Sequence, residues 1–450
     1  MKRVLIITYY WPPSGGGGVY RWLKFAKYLP QYGWEPVICT PLNPDFPIRD
    51  FSLLEDVDPH IQVIKRPIWE PYRLFKLLTG RKKNENVNVG LFFDERKPGL
   101  ILRVSLWIRG NLFIPDPRRF WVNPASRYLI RHFHEIKPDV VVTTGPPHSM
   151  HLIGLNLKRK FHMPWIADFR DHWSQIDVLE KFFISETALK RQMKLERKVL
   201  VNSDRILAVS THWGMTLGEL GAKDVTVITN GYDQDEFTDM EASPAPDRFV
   251  ISHFGILNSY RNHSFVWKTI EELCQENKAF SDNLEINLVG VVDQVVVNEL
   301  EALPVLSKRY RIRKYIPHKE IKEEYKRSSV LLLFIHRSKI AMGNIPGKFF
   351  EYLASLRPIL CIGPPEGDCA VILRETRTGE AVAFDDSEQL KDVLRNLFQR
   401  RNNQGDLSDR KKQIIRYSRQ SISEELAGVL DELVQPVKNA DGKEKHTVIH

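Results

Sequence analysis

VLIITYYWPPSGGGGVYRWLKFAKYL (Val4–Leu29) joins a β-rich apolar run, a loop with four consecutive glycines, and a segment whose apolar residues Trp22, Leu23, Phe25, Ala26 and Leu29 recur at helical spacing. EPVICTP (Glu35–Pro41) reads as a second short strand. Strand, loop, helix and strand in that order predict a parallel sheet with helices on its faces. In such a unit ligands bind at the loop leaving the strand's carboxyl end, and glycine there lets a backbone come close to a phosphate or sugar. A tight turn asks for glycine too. Two sharper templates fail: G-x-G-x-x-G needs glycine at Tyr20 or Arg21, and no Lys-Ser/Thr follows to make a P-loop. GNIPGKFF (Gly343–Phe350) fails the P-loop template as well. Dinucleotide and NTPase readings lose ground.

The same alternation runs on through PDVVVTTGPP, HSMHLIGLNLKRKFH, MPWIADFRD, ALKRQMKLERKVLVNS and DRILAVS to DVTVITNGYD. FTDMEASPAPDRF (Phe237–Phe249) has the composition of a linker, after which strands and helices alternate again from FVISHFG to RPILCIGP. The expected organisation is an α/β chain with a first domain over 1–237, a second over 248–405, a helical segment at 406–435 and a flexible tail at 436–450. No stretch approaches the roughly 18 apolar residues that span a bilayer, and no signal peptide is evident, so a cytoplasmic location is expected. Cys39, Cys274, Cys361 and Cys369 are scattered, which fits buried thiols and neither a zinc site nor a disulfide framework.

The net charge of +9 is uneven. Residues 1–200 hold 32 Lys+Arg against 19 Asp+Glu, and the remainder hold 33 against 37. Basic residues are densest between Lys65 and Arg131, 15 against 5 acidic, interleaved with Trp69, Tyr72, Phe75, Phe92, Phe93, Trp107, Phe113, Phe120 and Trp121. Cations with aromatic rings suit an anionic membrane surface; solvated basic helices around core aromatics are the alternative. No nucleic-acid partner is expected.

In order and spacing, ITYYWPPSGGGGVYRWLKFAKYL, TTGPPHSMHLIGLNLKRKFHMPWIADFRDHW, SDRILAVSTHW, VITNGYD and IPGKFFEYLASLRPILCIGPPEG resemble a glycosyltransferase family 4 enzyme of bacterial surface-polysaccharide pathways. The similarity runs from residue 1 to about 390, with Lys65–Arg131 and the tail outside it. The resemblance implies a GT-B fold, two Rossmann-like doubly wound domains facing across a cleft. It implies a nucleoside diphosphate sugar donor on the second domain, a saccharide or lipid-linked acceptor on the first, retention of anomeric configuration, and no metal ion or cofactor.

Sugar transfer builds negative charge on the leaving diphosphate, so fixed cations are the expected lever. Arg261 in FGILNSYRN and Lys348 at the start of GKFFEYL lie where the resemblance places diphosphate-binding cations, with Asn262 where a second cation is usual. Glu351 follows Lys348 by three residues on one helical face, and by resemblance it binds the ribose; the first glutamate of that family pair falls at Gly343. In the first domain, GPPHS puts His148, and ADFRD puts Asp168, Arg170 and Asp171, at carboxyl ends of strands. His148 and Asp171 are candidates to orient or deprotonate an acceptor hydroxyl or hold the transferred sugar, and Thr144 stands where the family often has a histidine. Asp168 and Arg170 read equally as a buried ion-pair network, and Arg21, a helical turn beyond the glycines, as acceptor-binding or structural. Gly16, Gly17 and Gly18 are expected to close over the donor's distal phosphate and sugar. The triplets Asp56–Asp58 and Asp233–Asp235 lack a strand context for a metal role. Two other readings compete: a sugar-nucleotide epimerase of the same architecture, and a binding protein that keeps the fold without the chemistry.

Overall fold

The computed structural model describes residues 1–71, 99–238, 240, 247–314, 316, 318–401 and 407–435. Residues 72–98 of the basic aromatic stretch and the tail 436–450 lie outside the described residues. The chain forms two units, Met1–Thr229 together with the chain from Ile422 onward, and Asn230–Ser421.

The first unit is built on seven parallel strands: β1 (Lys2–Ile7), β2 (Trp34–Pro41), β3 (Gln62–Arg66), β4 (Val140–Gly145), β5 (Trp165–Phe169), β6 (Arg205–Ala208) and β7 (Val225–Val227), in the order β3-β2-β1-β4-β5-β6-β7. β1 pairs with both β2 and β4, so the strand order reverses at its carboxyl end. That is the switch point at which open parallel sheets hold ligands. Helices cover both faces, which is why VVVTTG in β4 is buried at every position.

The second unit has six parallel strands, β8 (Phe249–Phe254), β9 (Leu284–Val289), β10 (Tyr310–Arg313), β11 (Val330–Phe334), β12 (Ile359–Ile362) and β13 (Gly379–Val382), ordered β10-β9-β8-β11-β12-β13. Its switch point lies beyond β8, between β9 and β11.

Both expected boundaries shift, for reasons visible in packing. Tyr232 N–H donates to Tyr417 O, Arg419 N–H donates to Tyr232 O, and Tyr232 and Phe237 enter the second unit's core, so the first unit ends at Thr229, ahead of the linker. The helical segment expected at 406–435 is divided. Leu407–Ile414 stays with the second unit, whereas the helix Arg419–Val434 sets Ile422, Leu426 and Leu430 among Val4, Ile6, Trp22 and Trp34 of the first. Burying each such leucine contributes on the order of 1.5–3 kcal/mol, enough to make this helix part of the first core. Among the described residues no helix is long and apolar enough to cross a membrane.

Candidate functional site

At the first switch point the glycine loop separates into positions that the fold demands and one that it does not. Gly16 sits at φ +84°, where a side chain is strained. A Cβ on Gly15 would lie 2.8 Å from Ile48, and one on Gly18 would lie 3.0 Å from Arg170 Nη1 and 3.1 Å from the Tyr10 ring. The donor-binding role expected of Gly18 thus competes with a plain packing reason for glycine. A Cβ on Gly17, the first residue of the helix Gly17–Tyr28, would meet nothing within 4 Å.

Arg21, Asp168 and Arg170 form the buried scaffold beneath this loop. Arg21 is 1% exposed, pairs with Asp168 at 3.0 Å and donates to the carbonyls of Ile228 and Thr229, so an acceptor has no access to it. The Asp168 carboxylate also accepts from Trp22 Nε1 at 2.7 Å and Thr144 Oγ1 at 2.8 Å. Thr144 thereby orients the aspartate. Arg170 is spent on Thr144 Oγ1 and the carbonyls of Gly18 and Pro146, and so ties the glycine loop to the GPPHS loop.

His148 and Asp171 remain as chemically open groups. His148 precedes the helix Ser149–Phe161 and stacks on Trp173 at 4.8 Å and 6°, with its Nδ1 unpartnered. Burial, with His151 beside it, holds its pKa well below the usual histidine value, so the ring is neutral. It lines a cavity of about 210 Å³ with Tyr10, Asp116, Arg118, Pro146 and Trp173. Sequence reading had passed over Asp116, which accepts from the N–H of Ser149 at 2.9 Å and from Arg118 N–H at 2.9 Å. It had also passed over Glu70, which takes Tyr9 OH at 3.0 Å and Arg118 Nε at 3.2 Å. Asp171, just past β5, is pushed up to about 6 by burial against the opposing pull of Arg170.

At the second switch point Arg261, Lys348 and Glu351 come together. Lys348 Nζ donates to Phe254 O at 2.6 Å and to His253 Nε2 at 3.2 Å. His253 Nδ1 lies 2.9 Å from Leu332 O, so Nδ1 carries the proton and Nε2 accepts. The third ammonium proton is left for a ligand. Burial first, then Arg261, lower the Lys348 pKa from 10.5 to about 7, and no carboxylate lies within ion-pair distance of Nζ among the described residues. Arg261 is exposed, with no hydrogen bond or ion pair to its guanidinium among the described residues. Asn262 is turned to the fold instead, bridging Glu299 and Trp267 Nε1 at 2.7 Å each. Glu351 accepts from Tyr325 OH at 2.8 Å, a partner 26 residues away that sequence reading did not find. Gly255 (φ +105°) and Gly290 (φ +132°) let the backbone pass Lys348; a Cβ on Gly290 would stand 2.2 Å from Gly255 O.

The aspartate triplets serve local structure. Asp56 accepts from Lys24 Nζ, Asp58 from His60 N–H, and Asp233 from Asp235 N–H.

Residues 83–236 match the model of Glycosyltransferase Family 4. The match starts inside the stretch 65–131 set apart as an insertion, so from residue 83 onward that stretch belongs to the family segment. No curated protein matches the chain in sequence. Among solved structures, the chain is similar to the Anabaena protein HepE in complex with UDP, at 12% identity and a TM-score of 0.61 over 96% of this chain and 100% of that one. It is similar to sucrose-phosphate synthase from Thermosynechococcus elongatus, at 14% identity and a TM-score of 0.58 over 96% and 99%. A glycosyltransferase from Rickettsia africae gives 13% identity and a TM-score of 0.59 over 96% and 99%. The shared architecture is GT-B.

Proposed function

We propose that the chain is a glycosyltransferase that moves a sugar from a nucleoside diphosphate sugar to a saccharide or lipid-linked acceptor, a reading supported by the match of residues 83–236 to the Glycosyltransferase Family 4 model and by the GT-B fold of its two sheets. In the transfer the bond from sugar C1 to the diphosphate oxygen breaks, a C1–O bond to an acceptor hydroxyl forms with retained configuration, and the hydroxyl proton leaves with Asp171 or the departing phosphate. One observation carries the reading: burial and the charge of Arg261 outweigh the pull of Glu351 on the Lys348 ammonium, which makes no ion pair among the described residues, and an arriving diphosphate relieves this. Glu351, oriented by Tyr325, suits the ribose diol. In the first unit, neutral His148 lines the cavity beside Pro146, where a sugar would meet its ring. UDP sugars are the first donors to try, because HepE was solved with UDP.

Docking at an anionic membrane, in a pathway of surface-polysaccharide synthesis, is part of the same proposal. It is supported by the helix Leu100–Asn111, which exposes Leu100, Val104 and Trp107 on one face with Arg103 beside them.

The test is a melting panel of nucleoside diphosphates and their sugars. A ligand at about 100 times its Kd adds about 2.7 kcal/mol of stability, so one base family should raise the melting temperature clearly above the rest. Indifference to every nucleotide would overturn the donor assignment.

A further inference from the structure

A second concentration of cations lies at the other end of the second sheet. Ser329, Pro358 and Gly379 stand at the amino ends of β11, β12 and β13, and with them line a cavity of about 280 Å³. Lys348 and Arg261 belong to the carboxyl ends. Strand β11 alone, five residues at about 3.3 Å each, separates the two by roughly 16 Å.

Six arginines line this cavity: Arg357, Arg374, Arg377, Arg400, Arg401 and Arg410. Glu380 is the one carboxylate among the described residues of the lining. Most of the guanidinium groups that have partners reach carbonyls. Arg357 Nη2 donates to Lys326 O at 2.7 Å, Arg374 Nη1 to Pro365 O at 2.6 Å, and Arg401 Nη1 to Phe398 O at 2.9 Å, with its guanidinium 4.1 Å over the Phe398 ring. Arg377 meets the rim carboxylate of Asp409 only at 3.5 Å. The guanidinium groups of Arg400 and Arg410 have no hydrogen-bond or ion-pair partner among the described residues, and Arg410 is partly withdrawn from solvent, which depresses its pKa.

Like charges gathered in a recess raise one another's energy, and among the described residues Glu380 and the rim carboxylate of Asp409 offset only part of this. Planar guanidinium forks are the side chains best matched to phosphate oxygens. The cavity has room for on the order of nine waters, which admits a ligand with more than one phosphate.

We propose that this arginine-lined cavity is a second anion site, taking a ligand that carries two or more phosphate groups and lying apart from the donor end of the same sheet. The ligand chemistry is shared by a free oligophosphate and by the phosphodiester headgroup of an anionic lipid. The proposal does not depend on which nucleotide the donor end accepts.

The experiment titrates the full chain with inorganic tripolyphosphate while UDP saturates the donor end, and in parallel sediments it with vesicles of phosphatidylcholine with or without cardiolipin. Binding of tripolyphosphate that weakens at least tenfold in Arg400→Ala/Arg410→Ala, and falls steeply with salt, assigns the site to a free phosphate ligand. Cosedimentation with cardiolipin vesicles alone, lost in the same double variant, assigns it to a lipid headgroup. Because Arg400 is exposed and its guanidinium partnerless, Arg400→Ala by itself keeps the test valid if the double variant folds poorly. Tripolyphosphate affinity and vesicle binding both unchanged in a folded Arg400→Ala/Arg410→Ala, or both absent in the unmodified chain, overturn the proposal. Transfer activity without added phosphate should be the same in Arg400→Ala and the parent.

Discussion

Replacing Lys348 by methionine tests whether an anionic ligand is what completes its site. With its pKa lowered to about 7, the lysine is charged below that pH and loses its charge as pH rises through it. Half of it is charged at about pH 7, and well above that each further unit leaves roughly a tenth as much of the charged form, about 1.4 kcal/mol per unit. Affinity for a nucleoside diphosphate that needs the cation should therefore fall about fivefold between pH 7 and 8 and about tenfold between 8 and 9. Binding itself draws a proton back, because a bound diphosphate favours the ammonium. Calorimetric titration of UDP across that range, in buffers of different ionisation enthalpy, reads both the slope and the proton uptake. Lys348→Met should bind weakly with no slope over the same range. Its melting temperature below pH 7 should match or exceed the parent's, since a desolvated cation beside Arg261 has been removed. Transfer should drop about 10²–10³-fold, the usual cost of deleting one fixed electrostatic donor. A flat affinity from pH 7 to 9 in the parent, or a variant whose activity loss merely follows its unfolded fraction, would refute the reasoning.

Gly17→Ala should leave the fold intact or gain up to about 1 kcal/mol at a helix start, yet impair transfer; normal transfer would show that nothing approaches that backbone. Asp168→Asn leaves Arg21 buried without its counter-charge and should lose about 3–5 kcal/mol in denaturant titration of the first unit, and a loss under 1 kcal/mol would contradict the scaffold role. If Asp171 accepts the acceptor proton, kcat/KM should fall about tenfold per unit as pH drops below about 6, and this limb should vanish in Asp171→Asn, with a retained limb assigning it elsewhere. Trp107→Glu should release the chain from anionic vesicles in a flotation assay without shifting its melting temperature; unchanged flotation removes that helix face from the docking surface.

Much of the architecture is legible because parallel sheets need long apolar runs, and VLII, VVVTTG and VLLLF announce themselves. The edge strand β3, QVIKR, does not, since two apolar residues among polar ones carry no period. Lys348, Glu351 and Arg261 could be chosen from their loops, but what tunes them is distant in sequence: the Phe254 carbonyl 94 residues from Lys348, and Tyr325. Four identical glycines look equivalent on paper. Only the surrounding atoms distinguish Gly18, where a Cβ would meet Tyr10 and Arg170, from Gly17, where it would meet nothing within 4 Å. Helical spacing in the last segment says that a helix forms there, and cannot say that Ile422, Leu426 and Leu430 return to the sheet that begins at Lys2.

That return bears on how the chain acquires its structure during synthesis. Trp34 Nε1 donates to Asp431 Oδ1 at 2.8 Å, and Lys2 pairs with the same carboxylate, so the outermost strands of translation order meet residues made some 400 positions later. While the ribosome is still producing the second unit, the faces of Val4, Ile6 and Trp22 that the last helix covers stay uncapped. The second unit has all of its strands within one continuous stretch and can finish first, although its codons come later. Truncation after Ser421 would thus spare the second unit and expose apolar surface on the unit that was made first.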